Sequence, residues 1–200
     1  MFRKQNFAPK KNFAPFDQRG LTAVELTVAA AVFTLLALAI AEMTAAVIRF
    51  NTREGAAADV ERRTAGGIEL IREAAKGASA VLASATVNGT PFTSGTSTVV
   101  FSLPAINAAG ALLSGADLIG FRRDPGDNTI LLEEIEAATS SVRRTGRYTI
   151  ASFVDVFRIR YNTSTPANST LVEIYLETKE IAGNAAIRSA LSTQSKLENR

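Results

Sequence analysis

Three hydrophobic patterns follow one another along the chain. Up to Gly20 no apolar period is sustained; the segment is polar, contains Pro9 and Pro15, and reads as a flexible arm. From Leu21 to Ile48 the chain is apolar except for threonines and the acids Glu25 and Glu42. Residues 26–41 carry no charge, and as a helix they extend roughly 24 Å, short of the ~30 Å hydrocarbon core of a bilayer. A complete membrane span therefore draws in residues beyond one of the two acids. From residue 51 to about 85 the apolar and small positions Val60, Gly67, Ile68, Ile71, Ala75, Ala78 and Leu82 trace one stripe of an amphipathic helix. Glu69 with Arg72 and Glu73 with Lys76 support it as i,i+3 pairs, and the Gly66-Gly67 pair predicts a bend.

Beyond residue 86 the period changes from helical to strand-like. Residues 98–103, 117–122 and 129–135 are short runs rich in Val, Ile, Leu and Phe, with the turn residues 124–128 between the last two. Residues 153–161 put Phe157, Ile159 and Tyr161 on one face and Val156, Arg158 and Arg160 on the other. Residues 171–178 alternate likewise, with Val172, Ile174 and Leu176 opposite Glu173, Tyr175 and Glu177, and 162–169 join the two runs as a hairpin loop. An antiparallel sheet with one apolar face needs a cover, and the amphipathic end of the long helix is the element available. The predicted class is α+β. A segment at 21–48 spans a membrane, 49–85 continues its helix, and 86–200 form a β-rich head.

Composition narrows the chemistry. The chain has 200 residues and neither cysteine nor histidine, which excludes disulfide scaffolds, Cys- or His-ligated metals, thiol nucleophiles and a Ser-His-Asp hydrolase. The formal charge is +3, but five of the 22 bases and only one of the 19 acids fall within the first twenty residues. The remainder has a slight acidic excess, so charge gives no support to a nucleic-acid partner for the head. Glu133, Glu134 and Glu136 form an acidic cluster of the hard-oxygen type that binds calcium, but a solvated edge of strand or turn is the favoured account and no metal site is expected. Arg143, Arg144 and Arg147 form a small basic patch. No catalytic constellation and no cofactor are expected.

The junction Arg19-Gly20-Leu21-Thr22-Ala23-Val24-Glu25-Leu26, followed by the apolar run, resembles the prepilin-type signal of type IV pilins and type II secretion pseudopilins. The shared features are a basic leader ending in glycine, a hydrophobic residue after the cut, and glutamate fifth in the mature chain. The resemblance implies cleavage between Gly20 and Leu21 by a membrane aspartyl prepilin peptidase and N-methylation of Leu21, with residues 1–20 as the removed leader. This sequence has Leu where the family more often has Phe at the first mature position, and Ala23 where a larger apolar residue is usual. Further along, Thr98-Val99-Val100-Phe101, Leu118-Ile119-Gly120-Phe121-Arg122, Ile150-Ala151-Ser152-Phe153-Val154, Phe157-Arg158-Ile159-Arg160-Tyr161 and the ending Leu197-Glu198-Asn199-Arg200 resemble minor pseudopilins of the J type and minor pilins of the W type.

These resemblances imply a structural subunit. It would sit in the inner (cytoplasmic) membrane as a single-pass protein with its head outside the cytoplasm, then join other pilins or pseudopilins in a type IV pilus or type II secretion pseudopilus, at the tip or in priming. Glu25 has a physical reason within that picture. A carboxylate in a bilayer helix costs about 2.5–3.5 kcal/mol at mid-membrane and less near an interface. The freed Leu21 ammonium of a neighbouring subunit would neutralise it, and the competing account is solvation at the headgroup boundary. A second reading of the same segment is an ordinary secretory signal: a basic n-region, the apolar run, and Ala39-Ile40-Ala41 as an A-x-A site. Cleavage after Ala41 would release a soluble β-rich binding domain starting at Glu42.

Overall fold

The computed structural model describes residues 22–197. The chain divides into two units, one ending at Ile48 and the other starting at Arg49. Helix α1 (Ala23–Gly77) contributes to both. In the first unit every described side chain is exposed.

The second unit packs the later part of α1 on antiparallel sheets. The strands are β1 (Ala80–Leu82), β2 (Ser84–Val87), β3 (Thr90–Thr93), β4 (Thr98–Ile106), β5 (Leu112–Arg123), β6 (Leu131–Glu136), β7 (Gly146–Ala151), β8 (Val154–Tyr161), β9 (Leu171–Ala182) and β10 (Ala185–Lys196). A five-stranded sheet has the order β1-β4-β5-β6-β7, a three-stranded sheet the order β10-β9-β8, and β2 and β3 form a separate hairpin. This is the predicted α+β, pilin-like architecture of a long N-terminal helix on antiparallel sheets.

One core joins helix and sheets. Val60, Thr64, Gly67, Ile68, Ile71, Ala74 and Ala75 form the buried stripe of α1. Ile68 and Ile71 share one buried cluster with Val99, Phe101 and Leu103 of β4, Phe121 of β5, Phe157 and Ile159 of β8, and Val172, Ile174 and Leu176 of β9. Each fully buried aliphatic side chain contributes roughly 1.5–3 kcal/mol. Thr64 is the polar member of the stripe. Its hydroxyl donates to the Val60 carbonyl at 2.8 Å and meets the Thr178 hydroxyl of β9, so a buried polar pair pins helix to sheet without an unsatisfied group.

One helix prediction changes. The amphipathic continuation ends at Gly77 rather than near residue 85. Ala78 N–H donates to Ala75 at 3.2 Å in a tightened last turn, and Ser79 N–H then donates to Ser102 of β4 at 2.8 Å, so sheet pairing takes over the backbone. The helix runs through Gly66-Gly67 without a break. A Cβ on Gly67 would lie 3.0 Å from Leu176 Cδ2 and 3.2 Å from Ala151 Cβ, whereas one on Gly66 would meet nothing within 4 Å. Gly67 is therefore there for close approach to the sheets.

The β2–β3 hairpin covers the opposite face of the five-stranded sheet. Val87, Phe92 and Val100 form its small core, with Leu118 packed against them. The connecting Asn88 and Gly89 have φ of 49° and 76°, as a two-residue type I′ turn requires. Gly120 makes room for Phe92, whose ring would stand 2.7 Å from a Cβ there.

Candidate functional site

The start of α1 is built by a reciprocal cap. Thr22 occupies the N-cap and Glu25 the third helical position, the spacing of a Thr-x-x-Glu capping box. Glu25 Oε2 accepts from the Thr22 backbone N–H at 2.9 Å and from the Thr22 hydroxyl at 2.9 Å, while Glu25 N–H donates to Thr22 Oγ1 at 3.3 Å. Leu26 N–H donates to the Thr22 carbonyl at 3.1 Å. The carboxylate also lies at the positive end of the helix dipole, which favours its negative charge. Glu25 Oε1 accepts no hydrogen bond among the described residues. The expected partner of Glu25 is the terminus of another chain, whereas Thr22 of the same chain is the partner observed, and the Thr-x-x-Glu spacing is its signal in the sequence. Gly20 and Leu21 lie outside the described residues.

The helix that follows is long and apolar enough to cross a membrane. Ala23 to Ile48 extends roughly 39 Å at about 1.5 Å per residue, against the ~30 Å of a hydrocarbon core. Val24, Leu26, Phe33, Leu35, Ile40 and Met43 are all more than 60% exposed. The threonine hydroxyls in this stretch are satisfied internally. Thr27, Thr34 and Thr44 donate their hydroxyls to the carbonyls of Val24, Ala30 and Ile40, each at 2.8 Å. That is the arrangement a water-free surrounding demands.

The three acids of the proposed calcium cluster do not converge. Along β6 they alternate, so Glu133 shares the face of Leu131 and Ile135, while Glu134 and Glu136 face the β2–β3 hairpin. Glu134 is buried and accepts from Arg122 Nη2 at 2.9 Å, with Arg147 Nη2 at 3.3 Å. Arg122 also stacks over the Phe92 ring, 4.8 Å from its centroid. Glu136 Oε2 accepts from Asn88 N–H at 2.8 Å. Glu133 has no such donors, and burial raises its carboxyl above the usual range. No group of three or more potential ligands among the described residues is placed to hold a metal ion.

The basic patch is likewise partly consumed by structure. Arg143 donates to Asp117 Oδ2 at 2.6 Å and to the Pro104 carbonyl at 2.9 Å, and Asp117 also accepts from Ser141 Oγ and Ala138 N–H. Burial alone would raise the Asp117 carboxyl, but the Ala138 N–H, Arg143 and Ser141 outweigh it and hold the group below the usual carboxylate range. The loop after β6 is thereby clasped to β5.

No family model matches the chain, and no curated protein matches it. The cap and the exposed apolar helix are therefore the features from which a function is argued.

Proposed function

We propose that the protein is a structural minor pilin or pseudopilin subunit. It would be inserted in the inner membrane with its head outside the cytoplasm, processed by a prepilin peptidase after Gly20, N-methylated at Leu21, and assembled with other pilins into a type IV pilus or type II secretion pseudopilus at the tip or in priming. Three observations support this reading: the Gly20 and Glu25 spacing, the exposed apolar helix, and an α+β head carried by the same helix. The secreted-domain alternative would leave Met43, Val47, Ile48 and Phe50 exposed at a soluble N-terminus, a cluster with no cover.

The observation that carries the proposal is Glu25, held by Thr22 through one carboxylate oxygen and open at the other among the described residues. The cap fixes the carboxylate at the helix start, where the new ammonium of a neighbouring subunit would reach it. This separates two roles that an alanine variant confounds. Glu25→Gln keeps a side chain that can bond back to Thr22 but removes the charge, whereas Glu25→Ala removes both. Export and cleavage should survive in both variants and filament incorporation should fail in both. Incorporation of Glu25→Gln at the wild-type level would reduce Glu25 to a helix cap and overturn the charge-pairing mechanism. N-terminal sequencing of the exported protein decides processing: Leu21 first supports the proposal, and Glu42 first replaces it with the secreted domain.

A further inference from the structure

Among the described residues, Arg123 and Arg158 of the head are without a carboxylate counter-ion and lie close together. Arg123, at the end of β5, donates through Nη2 to the main-chain carbonyls of Val154, at 3.3 Å, and Asp155. Both acceptors are neutral, and Arg123 Nε is buried with no acceptor. Arg158, on the exposed face of β8, makes no hydrogen bond or ion pair among the described residues. Together with Thr96 and Ser97 they line an open cleft of about 310 Å³ between the start of β4 and the edge of β8. The one carboxylate in its wall, Asp155, is matched on its other side by Arg188 Nη1 at 3.5 Å.

We propose that this cleft binds an oxyanion, a phosphate or a carboxylate group. The physical reason is the imbalance. A partly buried guanidinium satisfied only by carbonyl dipoles keeps its charge uncompensated, and a donor left unpaired inside a protein is costly. A second guanidinium opens on the same cleft, and two hydroxyls add rotatable donors. Guanidinium groups bond phosphate and carboxylate in charge-assisted pairs. Arg63, Arg72, Arg122 and Arg143, by contrast, have carboxylates within 3 Å, and no other described pair of arginines without a carboxylate lines a common cleft with a buried, unpaired guanidinium nitrogen.

The test titrates inorganic phosphate and, separately, succinate into the full chain in nonionic detergent, with ionic strength fixed by chloride and amide shifts followed by NMR. Saturable shifts confined to Thr96, Ser97, Arg123 and residues 155–158 are expected for at least one anion. The arm that saturates identifies the group. Arg158→Gln, a change at an exposed side chain, should weaken binding about tenfold or more, the loss of one charge-assisted bond. Arg144→Gln, at an exposed arginine elsewhere, should leave binding unchanged. Shifts that grow linearly with both anions, or an Arg158→Gln curve that coincides with wild type, would overturn the proposal.

Discussion

The Gly66-Gly67 pair supplies a direct test of how the helix meets the sheets, because neighbouring glycines in one helix should respond to alanine with opposite signs. Alanine favours a helix interior over glycine by about 0.8–1.0 kcal/mol. At Gly66 nothing lies within 4 Å of an added Cβ, so Gly66→Ala should stabilise by about that amount. At Gly67 the new Cβ would stand 3.0 Å from Leu176 Cδ2 and 3.2 Å from Ala151 Cβ. Leu176 is fully buried among core side chains, and Ala151 Cβ moves only with the β7 backbone. Overpacking of this kind costs about 1–3 kcal/mol, so Gly67→Ala nets a loss of about 0–2 kcal/mol after the helix gain. The two variants should therefore differ by about 1–3 kcal/mol. Urea denaturation of the full chain in nonionic detergent, followed by far-ultraviolet circular dichroism, measures it; the chain has no tryptophan for fluorescence. Leu176→Val should cost less in the Gly67→Ala background than alone, since it removes part of the clash. Equal stabilisation by Gly66→Ala and Gly67→Ala would refute the close approach of α1 to β7 and β9.

Three further changes probe the head. Asp117→Asn should destabilise by about 2–3 kcal/mol at neutral pH, below the ~3–5 kcal/mol of a fully buried pair because Arg143 is partly exposed. Its folded carboxyl is held low, so that stabilisation is complete above about pH 4 and fades as pH falls through the folded value; denaturation midpoints of variant and wild type should converge in acid. Glu133→Gln should act in the opposite sense. Burial raises that carboxyl, so the folded state loses stability as pH rises through the raised value, and the variant's midpoint should exceed wild type at pH 7 but match it near pH 3. Tyr161 donates to the carbonyls of Gly95 and Thr98 at 3.1 and 3.3 Å, and burial pushes its phenol up to about 12. Tyr161→Phe should cost about 1–2 kcal/mol and remove the last tyrosine to ionise in an absorbance titration at alkaline pH.

The legible parts of the fold were those where one periodicity met one buried face. Val172, Ile174 and Leu176 alternate cleanly, and all three are fully buried on β9. Phe157 and Ile159 on β8 and the Ile68–Ile71 stripe of α1 read equally well. What escaped lacked that signal. β10 (Ala185–Lys196) is an Ala- and Ser-rich edge strand with few buried positions, and its register comes from twelve pairings with β9 around a turn where Gly183 takes φ 63°. The β2–β3 hairpin carries a local signal, Asn88-Gly89, but the strands it joins are only four residues each, too short to show a periodicity of their own. Arg123 and Arg158 are 35 positions apart in sequence, and only the folded edge of β8 beside the start of β4 brings them to one cleft.

Glu25 shows how local and tertiary reasoning divide the same residue. Its cost inside an apolar segment argues for a partner, and Thr22 supplies one three residues away, bonding a single carboxylate oxygen. A cap explains an acid at the third helical position of any helix, buried or not. It does not require the negative charge, since glutamine closes the same box, and it leaves Oε1 with no acceptor role among the described residues. Near a membrane interface that residual charge costs less than at mid-bilayer, yet a neutral side chain would avoid the cost while keeping the cap. The part of Glu25 that the cap does not require is thus the charge itself; the helix dipole favours it in part, and a cation arriving from outside the described chain would offset the rest of its cost.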